Sequence, residues 1–350
     1  MIKSIHLQNI RNFKDSHFEF KSGVNLVVGR NSSGKTTLLE SIGYFAFGKF
    51  LSVGRDALVV AAGEEAGRVE ADFFSSSVTR AEVGLSAKEK IIKIDERRSR
   101  ASDLVGLAPQ VFFNPETVML VFDAPALRRR ELDMVLSQAD HHFVLDMLTF
   151  RKVLKERNAL LRLISLRQAS RKELDFWDER FSDLARRIYQ KRVDLLDFFR
   201  EKINKFYQSL RGGDETLDVK YIPSLDYDRV EETLLAKIDG DIETGSTSIG
   251  PHRDDFIFLL NNQAMRDGAS RGEQRLAAVA FKATACEFLT DLGIKPLIVL
   301  DDVFSELDLE RQHSVAETLN LSSAKQVFIS ATGESFVPDE LTQKANRIDL

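Results

Sequence analysis

Gly29-Arg30-Asn31-Ser32-Ser33-Gly34-Lys35-Thr36 is the stretch on which the reading of this chain turns. It satisfies the pattern G-x-x-x-x-G-K-[ST], and its surroundings give the pattern meaning. Val24 to Val28 before it is a continuous apolar strand, and Thr37 to Phe47 after it places Leu38, Leu39, Ile42 and Phe45 on one helical face. Glycines let the backbone curl so that successive N–H groups and the helix N-terminus face an anion. Lys35 adds a point charge there, and the Thr36 hydroxyl can ligate Mg²⁺. The alternative, a glycine turn with an exposed lysine, does not account for the strand and helix on either side. Gly29 to Thr37 are therefore the expected nucleotide-binding residues: Gly29, Arg30, Asn31, Ser32, Ser33, Gly34, Lys35, Thr36 and Thr37.

A second half of the site is expected far along the chain, where Leu297-Ile298-Val299-Leu300 ends in Asp301-Asp302. An apolar strand closing on two acids suits magnesium-dependent phosphate chemistry. One carboxylate holds the metal and its neighbour orients the attacking water. Taken alone, such a pair is often a solvated turn; beside a phosphate loop it becomes a second nucleotide motif. Between the two lies Ser270-Arg271-Gly272-Glu273-Gln274-Arg275, at the start of a helical segment. A serine there is an N-cap in any protein. Its place ahead of the acidic strand is also where ATP-binding-cassette proteins carry a signature loop, whose hydroxyl and helix N-terminus face the γ-phosphate of ATP on a second subunit.

Around these motifs the chain is ordinary: 350 residues, 43% hydrophobic and 29% charged, which excludes disorder and fibres. With 49 basic and 54 acidic side chains the net charge is −5, against a grip on polyanions over the whole surface but not against a local basic one. Cys286 is a lone cysteine, and no Cys/His spacing would hold zinc. No apolar run approaches the roughly 20 residues that span a bilayer, and the opening MIKSIHLQNIRNF lacks a signal-peptide pattern. A soluble, cytoplasmic protein without a membrane partner is expected. The phenylalanines, 25 of them, read as core.

Period-two alternation through Ile2, Ile5 and Leu7, then Phe13, Phe18 and Phe20, predicts antiparallel strands, and residues 50–113 read as a strand-rich lobe. From Pro125 the texture becomes helical, without proline until Pro223, predicting an insertion of roughly 85 residues that ends near Gly212-Gly213. A polar link follows around 240–248. Then come a helix from about Gly272 to Leu289, a buried strand Pro296 to Leu300, a helix near Glu310 to Leu319 and a last strand Gln326 to Ser330. Arg128, Arg129, Arg130, Arg151, Lys152, Lys155, Arg157, Arg162 and Arg167 make the insertion basic. They are either a solvated face or a duplex-backbone contact.

With these residues assembled, the chain resembles the RecF family, bacterial recombination mediators among the cassette/SMC-like ATPases. The resemblance is carried by Leu7-Gln8-Asn9-Ile10-Arg11-Asn12-Phe13, the phosphate loop, Val111-Phe112-Phe113-Asn114-Pro115-Glu116 and Leu174-Asp175-Phe176-Trp177-Asp178-Glu179. Gly250-Pro251-His252-Arg253-Asp254-Asp255, the Ser270 loop and Leu300-Asp301-Asp302-Val303-Phe304-Ser305-Glu306-Leu307-Asp308 complete it; the Gly250 to Asp255 and Asp301 to Asp308 motifs together are much narrower than the phosphate loop and acidic strand, which many ATPases share. The family usually has glycine where Ser32 stands and glutamine where Glu273 stands. A carboxylate at Glu273 near a phosphate is repulsive unless it points away or meets Arg271 or Arg275.

The resemblance implies an α/β fold: an ABC-type ATPase head of 1–124 and 213–350, with mixed sheet, phosphate-loop helix and antiparallel lobe, interrupted by a helical arm of 125–212. It implies ATP and Mg²⁺ as cofactors. Lys35, Asp301, Asp302 and Ser270 would be the catalytic set, and Thr36 and Asp301 the metal ligands. Ser270 and Gly272 would complete the site in trans. Arg11 and Asn12 lie on the base or sugar side of the nucleotide, and Ser330 or Thr332 would sense the γ-phosphate. Ser305-Glu306-Leu307-Asp308 would be a dimer-interface loop. It implies an ATP-dependent homodimer that binds double-stranded DNA at junctions with single strands, works with RecR and RecO in loading RecA, and hydrolyses ATP slowly, Asp302 being one methylene shorter than glutamate. A transport ATPase subunit, an SMC-like ATPase of a defence system and a nucleotide-gated clamp without turnover are the competing readings.

Overall fold

The structure, a computed structural model, describes residues 1–74, 77–122, 124–305 and 307–350; Glu306 of the expected interface loop lies outside them. Two compact units share the chain: Met1–Val118 with Lys205–Asp214 and Arg275–Leu350, and Met119–Asn204 with Glu215–Gln274.

The first unit is built on two sheets. Among the described residues, β3 (Gly23–Val28), β8 (Gln110–Phe113), β12 (Leu297–Asp301), β13 (Gln326–Ala331) and β14 (Asn346–Asp349) form an all-parallel sheet in the order β14-β3-β13-β12-β8. Parallel strands covered on both faces read as unbroken apolar runs, as Leu297 to Leu300 does. An antiparallel sheet follows the order β2-β1-β4-β5-β6-β7, from β1 (Ile2–Ile10), β2 (Phe13–Glu19), β4 (Ala66–Phe73), β5 (Arg80–Ser86), β6 (Lys90–Ile94) and β7 (Arg97–Arg98). Gln326 ties the two together, its side-chain amide accepting from the Ile2 N–H at 2.9 Å and donating to the Ile2 carbonyl at 2.7 Å.

Helix α1 (Lys35–Phe47) touches β1 of one sheet and β8, β12 and β13 of the other. Its apolar face is therefore not one stripe: every residue from Thr37 to Phe47 is buried, as in a helix enclosed on all sides. Edge-to-face rings pack around it, Tyr44 on Phe50 at 5.0 Å and Phe45 on Phe73 at 5.7 Å. Short helices α2 (Ala101–Leu104) and α10 (Asp339–Thr342), with α9 (Leu309–Thr318) and the buried length of α8 (Arg271–Asp291), complete this unit. Strand β13 is not the last. Asn346-Arg347-Ile348-Asp349 pairs with β3 at the sheet edge, where half-exposed polar residues hide a strand from any hydrophobic pattern.

The second unit holds α3 (Met119–Phe122), α4 (Pro125–Ala139), α5 (His141–Ser165) and most of α6 (Asp175–Arg211), the helices expected of an insertion. It also takes in 215–274, which the sequence assigns to the head. Strands β9 (Leu217–Ile222), β10 (Asp255–Leu260) and β11 (Gln263–Ala264) form an antiparallel sheet whose β10 packs on α4. The expected polar link is in part the end of α7 (Val230–Thr244), a helix packed on α5. Buried ion pairs hold these pieces together. Arg157, fully buried on α5, donates to Asp178 at 2.7 Å and Asp241 at 3.1 Å, and Arg128 donates to Asp255 at 2.7 Å. The Gly250 to Asp255 motif is the hub. Asp254 accepts from Tyr221, Tyr227 and the Ser224 N–H, and Arg192 donates to the Pro251 carbonyl at 2.6 Å.

Candidate nucleotide site

The phosphate loop runs from the end of β3 into the first turn of α1. Gly34 sits at φ +112°, a conformation that side-chain-bearing residues rarely adopt, and a Cβ there would lie 2.6 Å from the Phe13 ring and 2.7 Å from the Asn12 amide. Ser32 holds a left-handed backbone as well, at φ +66°, so glycine's usual place in the family has a conformational reason. No side chain caps the first turn of α1, so its leading amides are the unpaired donors of a helix start, the feature that receives anions. Lys35 curls over the loop and donates to the carbonyls of Gly29 at 2.7 Å and Arg30 at 3.0 Å. The Asn12 amide, from the β1–β2 turn, donates to the Ser33 carbonyl at 2.7 Å and braces the loop from outside.

Asp301 ends β12, two strands from β3, with only 4% of its surface exposed. Its carboxylate accepts from Ser330 at 2.6 Å and from the Thr36 hydroxyl. Burial pushes its carboxyl above the usual carboxylate range, against the pull of those two hydrogen bonds. Asp302 follows at φ +54°, its N–H donating to Ser330 Oγ at 3.0 Å and its carbonyl accepting from Ser305 at 3.0 Å. The Asp302 Oδ1 and Ser33 Oγ atoms are buried without a hydrogen-bond partner. Such atoms cost stability in the free chain and are kept where a ligand or water is handled. The fold thus brings together Lys35, Thr36, Asp301, Asp302 and Ser33, from sequence positions far apart.

Several expected roles are redistributed. Arg11 pairs with buried Glu40 at 3.2 Å, donates to Thr37 Oγ1 at 3.3 Å and hydrogen-bonds Ser52, so its guanidinium and the Thr37 side chain serve to anchor α1. Ser330 donates its single hydroxyl proton to Asp301, which leaves none for a phosphate; Thr332, exposed past the end of β13, has no such commitment. Ser330 carries no sequence pattern of its own, because its partners lie on the neighbouring strand. The basic cluster is broken up: Arg128 and Arg157 are buried in ion pairs, while Arg151, Lys152 and Lys155 remain exposed on α5.

The Ser270 loop belongs to the second unit. Ser270 is exposed at the head of α8, and Glu273 folds back on it, accepting from the serine N–H at 2.7 Å and hydroxyl at 2.8 Å. This is a capping box. A Cβ at Gly272 would meet nothing within 4 Å, so no contact within the chain calls for glycine there.

Known proteins agree with this architecture. A family model described as the RecF/RecN/SMC N terminal domain matches residues 1–347. The DNA replication and repair protein RecF of Moorella thermoacetica is 30% identical over 353 residues, spanning 100% of this chain and 94% of the relative. That of Lachnospira eligens is 32% identical, spanning 97% and 95%. A solved structure of the recombination mediator protein RecF with ATP, in the RecFOR pathway, superposes with a TM-score of 0.88 at 30% identity, covering 96% of this chain and 93% of that one. An Smc head bound to the C-winged helix domain of ScpA, at 13% identity and a TM-score of 0.58, shares the fold alone. Similarity that runs end to end and takes in both the phosphate loop and the acidic strand makes this chain a member of the RecF family, within the RecF/RecN/SMC N-terminal domain proteins.

Proposed function

We propose that the protein is an ATP-dependent DNA-binding ATPase of recombinational repair, acting at gapped duplexes as a nucleotide-timed clamp. The observation that carries this reading is the convergence of Lys35 and Thr36 on Asp301, beside an Asp302 whose buried oxygen has no partner of its own. A hydroxyl and a carboxylate, both hard oxygen donors, suit Mg²⁺, which when bound supplies positive charge to phosphate oxygens. Lys35 and the α1 amides would hold the β- and γ-phosphates, with Gly29 to Thr37 forming their cradle. Asp302 would orient the attacking water through the oxygen left unpartnered. Ser330 fixes both acids, and Asn12 and Arg11 keep the loop and α1 in place.

Ser270 and Gly272 would face the nucleotide of a second copy, giving an ATP-dependent homodimer. The open space above Gly272 supports close approach from outside the chain. Duplex DNA at single-strand junctions, RecR, and functionally RecO and RecA are the partners this membership supports, the solved relative being a mediator of the RecFOR pathway. Slow turnover is expected from the short reach of Asp302, and its stimulation by DNA belongs to the clamp reading. No helix among the described residues is long and apolar enough to cross a membrane, and a cytoplasmic setting fits these partners.

The test is ATP hydrolysis and light-scattering mass, measured with and without gapped duplex. A rise in both mass and turnover with ATP and DNA is expected, and Lys35→Ala should abolish ATP-dependent retention on DNA. Retention unchanged in that variant, or turnover of hundreds per second without DNA, overturns the clamp.

A further inference from the structure

The first turn of α8 is closed by a reciprocal pair. Ser270 donates both its N–H and its hydroxyl proton to one Glu273 oxygen, at 2.7 and 2.8 Å, while the Glu273 N–H donates to Ser270 Oγ at 3.3 Å. A serine hydroxyl has one proton to give, and here its own chain takes it. The same turn would otherwise attract an anion, through its free amides and the positive end of the helix dipole. A carboxylate placed there competes with an incoming phosphate twice over: it occupies the donor, and it repels the charge.

Glu273 also has somewhere to go. It lines a cavity of about 520 Å³, together with Leu260, Asn261, Met265 and Asp267, beside the β10–β11 hairpin. The carboxylate can leave Ser270 for this open space without entering the core.

We infer that Glu273 is a gate on the nucleotide-dependent union of two copies: its carboxylate withholds the Ser270 proton in the free chain and must swing toward the cavity before a phosphate held by a second copy can take it. The inference rests on the trans assignment of Ser270. Glu273 is a positioning residue, acting only through that serine. Its charge raises the protein concentration at which ATP pairs two copies, and leaves untouched the binding of ATP to the phosphate loop of one copy.

Glu273→Gln separates charge from fold, because glutamine closes a capping box as glutamate does. Light scattering over a protein concentration series, with a non-hydrolysable ATP analogue at saturation, is compared for wild type, Glu273→Gln and Ser270→Ala. The thermal midpoint and the analogue's affinity for the monomer are measured alongside. Expected for Glu273→Gln is a half-dimer concentration at least tenfold lower, with monomer affinity and thermal midpoint unchanged. A half-dimer concentration equal to or above wild type, while Ser270→Ala abolishes the dimer, removes the gate and leaves the trans role standing. Dimerisation of Ser270→Ala at the wild-type concentration, or no dimer from either wild type or Glu273→Gln, removes both.

Discussion

The Ser330 hydroxyl lies 2.6 Å from Asp301 Oδ1 and at the same time accepts the Asp302 N–H at 3.0 Å, so one buried serine on β13 sets the position of both acids at the end of β12. Removing it leaves a buried carboxylate short of a donor and a backbone N–H without an acceptor, a loss of about 1–3 kcal/mol. Ser330→Ala should therefore lower the thermal midpoint. It should also lower kcat for ATP at least tenfold with little change in KM, since the phosphate loop is intact. A variant with wild-type kcat would reduce Ser330 to a packing role.

Asp301 is held in a setting that disfavours its charge, burial being the main cause. Asp301→Asn relieves that cost while the amide oxygen still accepts from Ser330. The expected outcome is a free chain more stable by about 0.5–2 kcal/mol, in exchange for lost Mg²⁺-dependent turnover. Differential scanning calorimetry decides the first half and an ATPase assay the second.

Ser32 pays for its φ of +66° in backbone strain. A left-handed residue with a Cβ costs roughly 1–2 kcal/mol, while glycine adds roughly 0.4–1 kcal/mol of unfolded-state freedom. Ser32→Gly is expected to stabilise the chain by up to about 1 kcal/mol, with nucleotide affinity equal or higher. A drop in thermal midpoint would show that the Ser32 side chain contributes more than its backbone costs.

Two histidines tilt stability in opposite directions with pH. His6 is raised above its usual value, chiefly by its hydrogen bond to Asp15 at 2.5 Å. Its contribution is full below the unfolded value of about 6.5 and is lost as pH rises through the folded one. His252, half-buried between Phe150 and Phe181, is pushed down to about 4 by desolvation, so its contribution is present above about 6.5 and fades as pH falls toward about 4. Thermal midpoints from acid to neutral pH should lose their alkaline decline in His6→Gln and part of their acid decline in His252→Gln.

The arginines of the insertion separate into two kinds. Arg157→Ala strands Asp241 in the interior, a loss of about 3–5 kcal/mol visible as a collapse of the unfolding midpoint. Reversing Arg151, Lys152 and Lys155, all exposed, should leave folding within about 0.5 kcal/mol. If these residues meet duplex phosphates, the slope of log affinity against log salt falls by about one per contact. An unchanged slope assigns them to solvent.

The phosphate loop, the strand before it, the acidic end of β12 and the helical texture after Pro125 were legible because each is a local pattern. Glycine spacing, apolar runs and charge periodicity are written within a few residues of one another. Local sequence thus carries the phosphate-loop and acidic-strand motifs and the order of the main elements. Folding alone sets which acids Ser330 serves, 29 residues from Asp301. It also decided that Arg128 meets Asp255 across 127 residues and Arg157 meets Asp241 across 84, drawing 215–274 into the second unit. A buried ion pair or a cross-strand hydrogen bond exists only once distant segments have excluded water from between them, so no periodicity along the chain announces it.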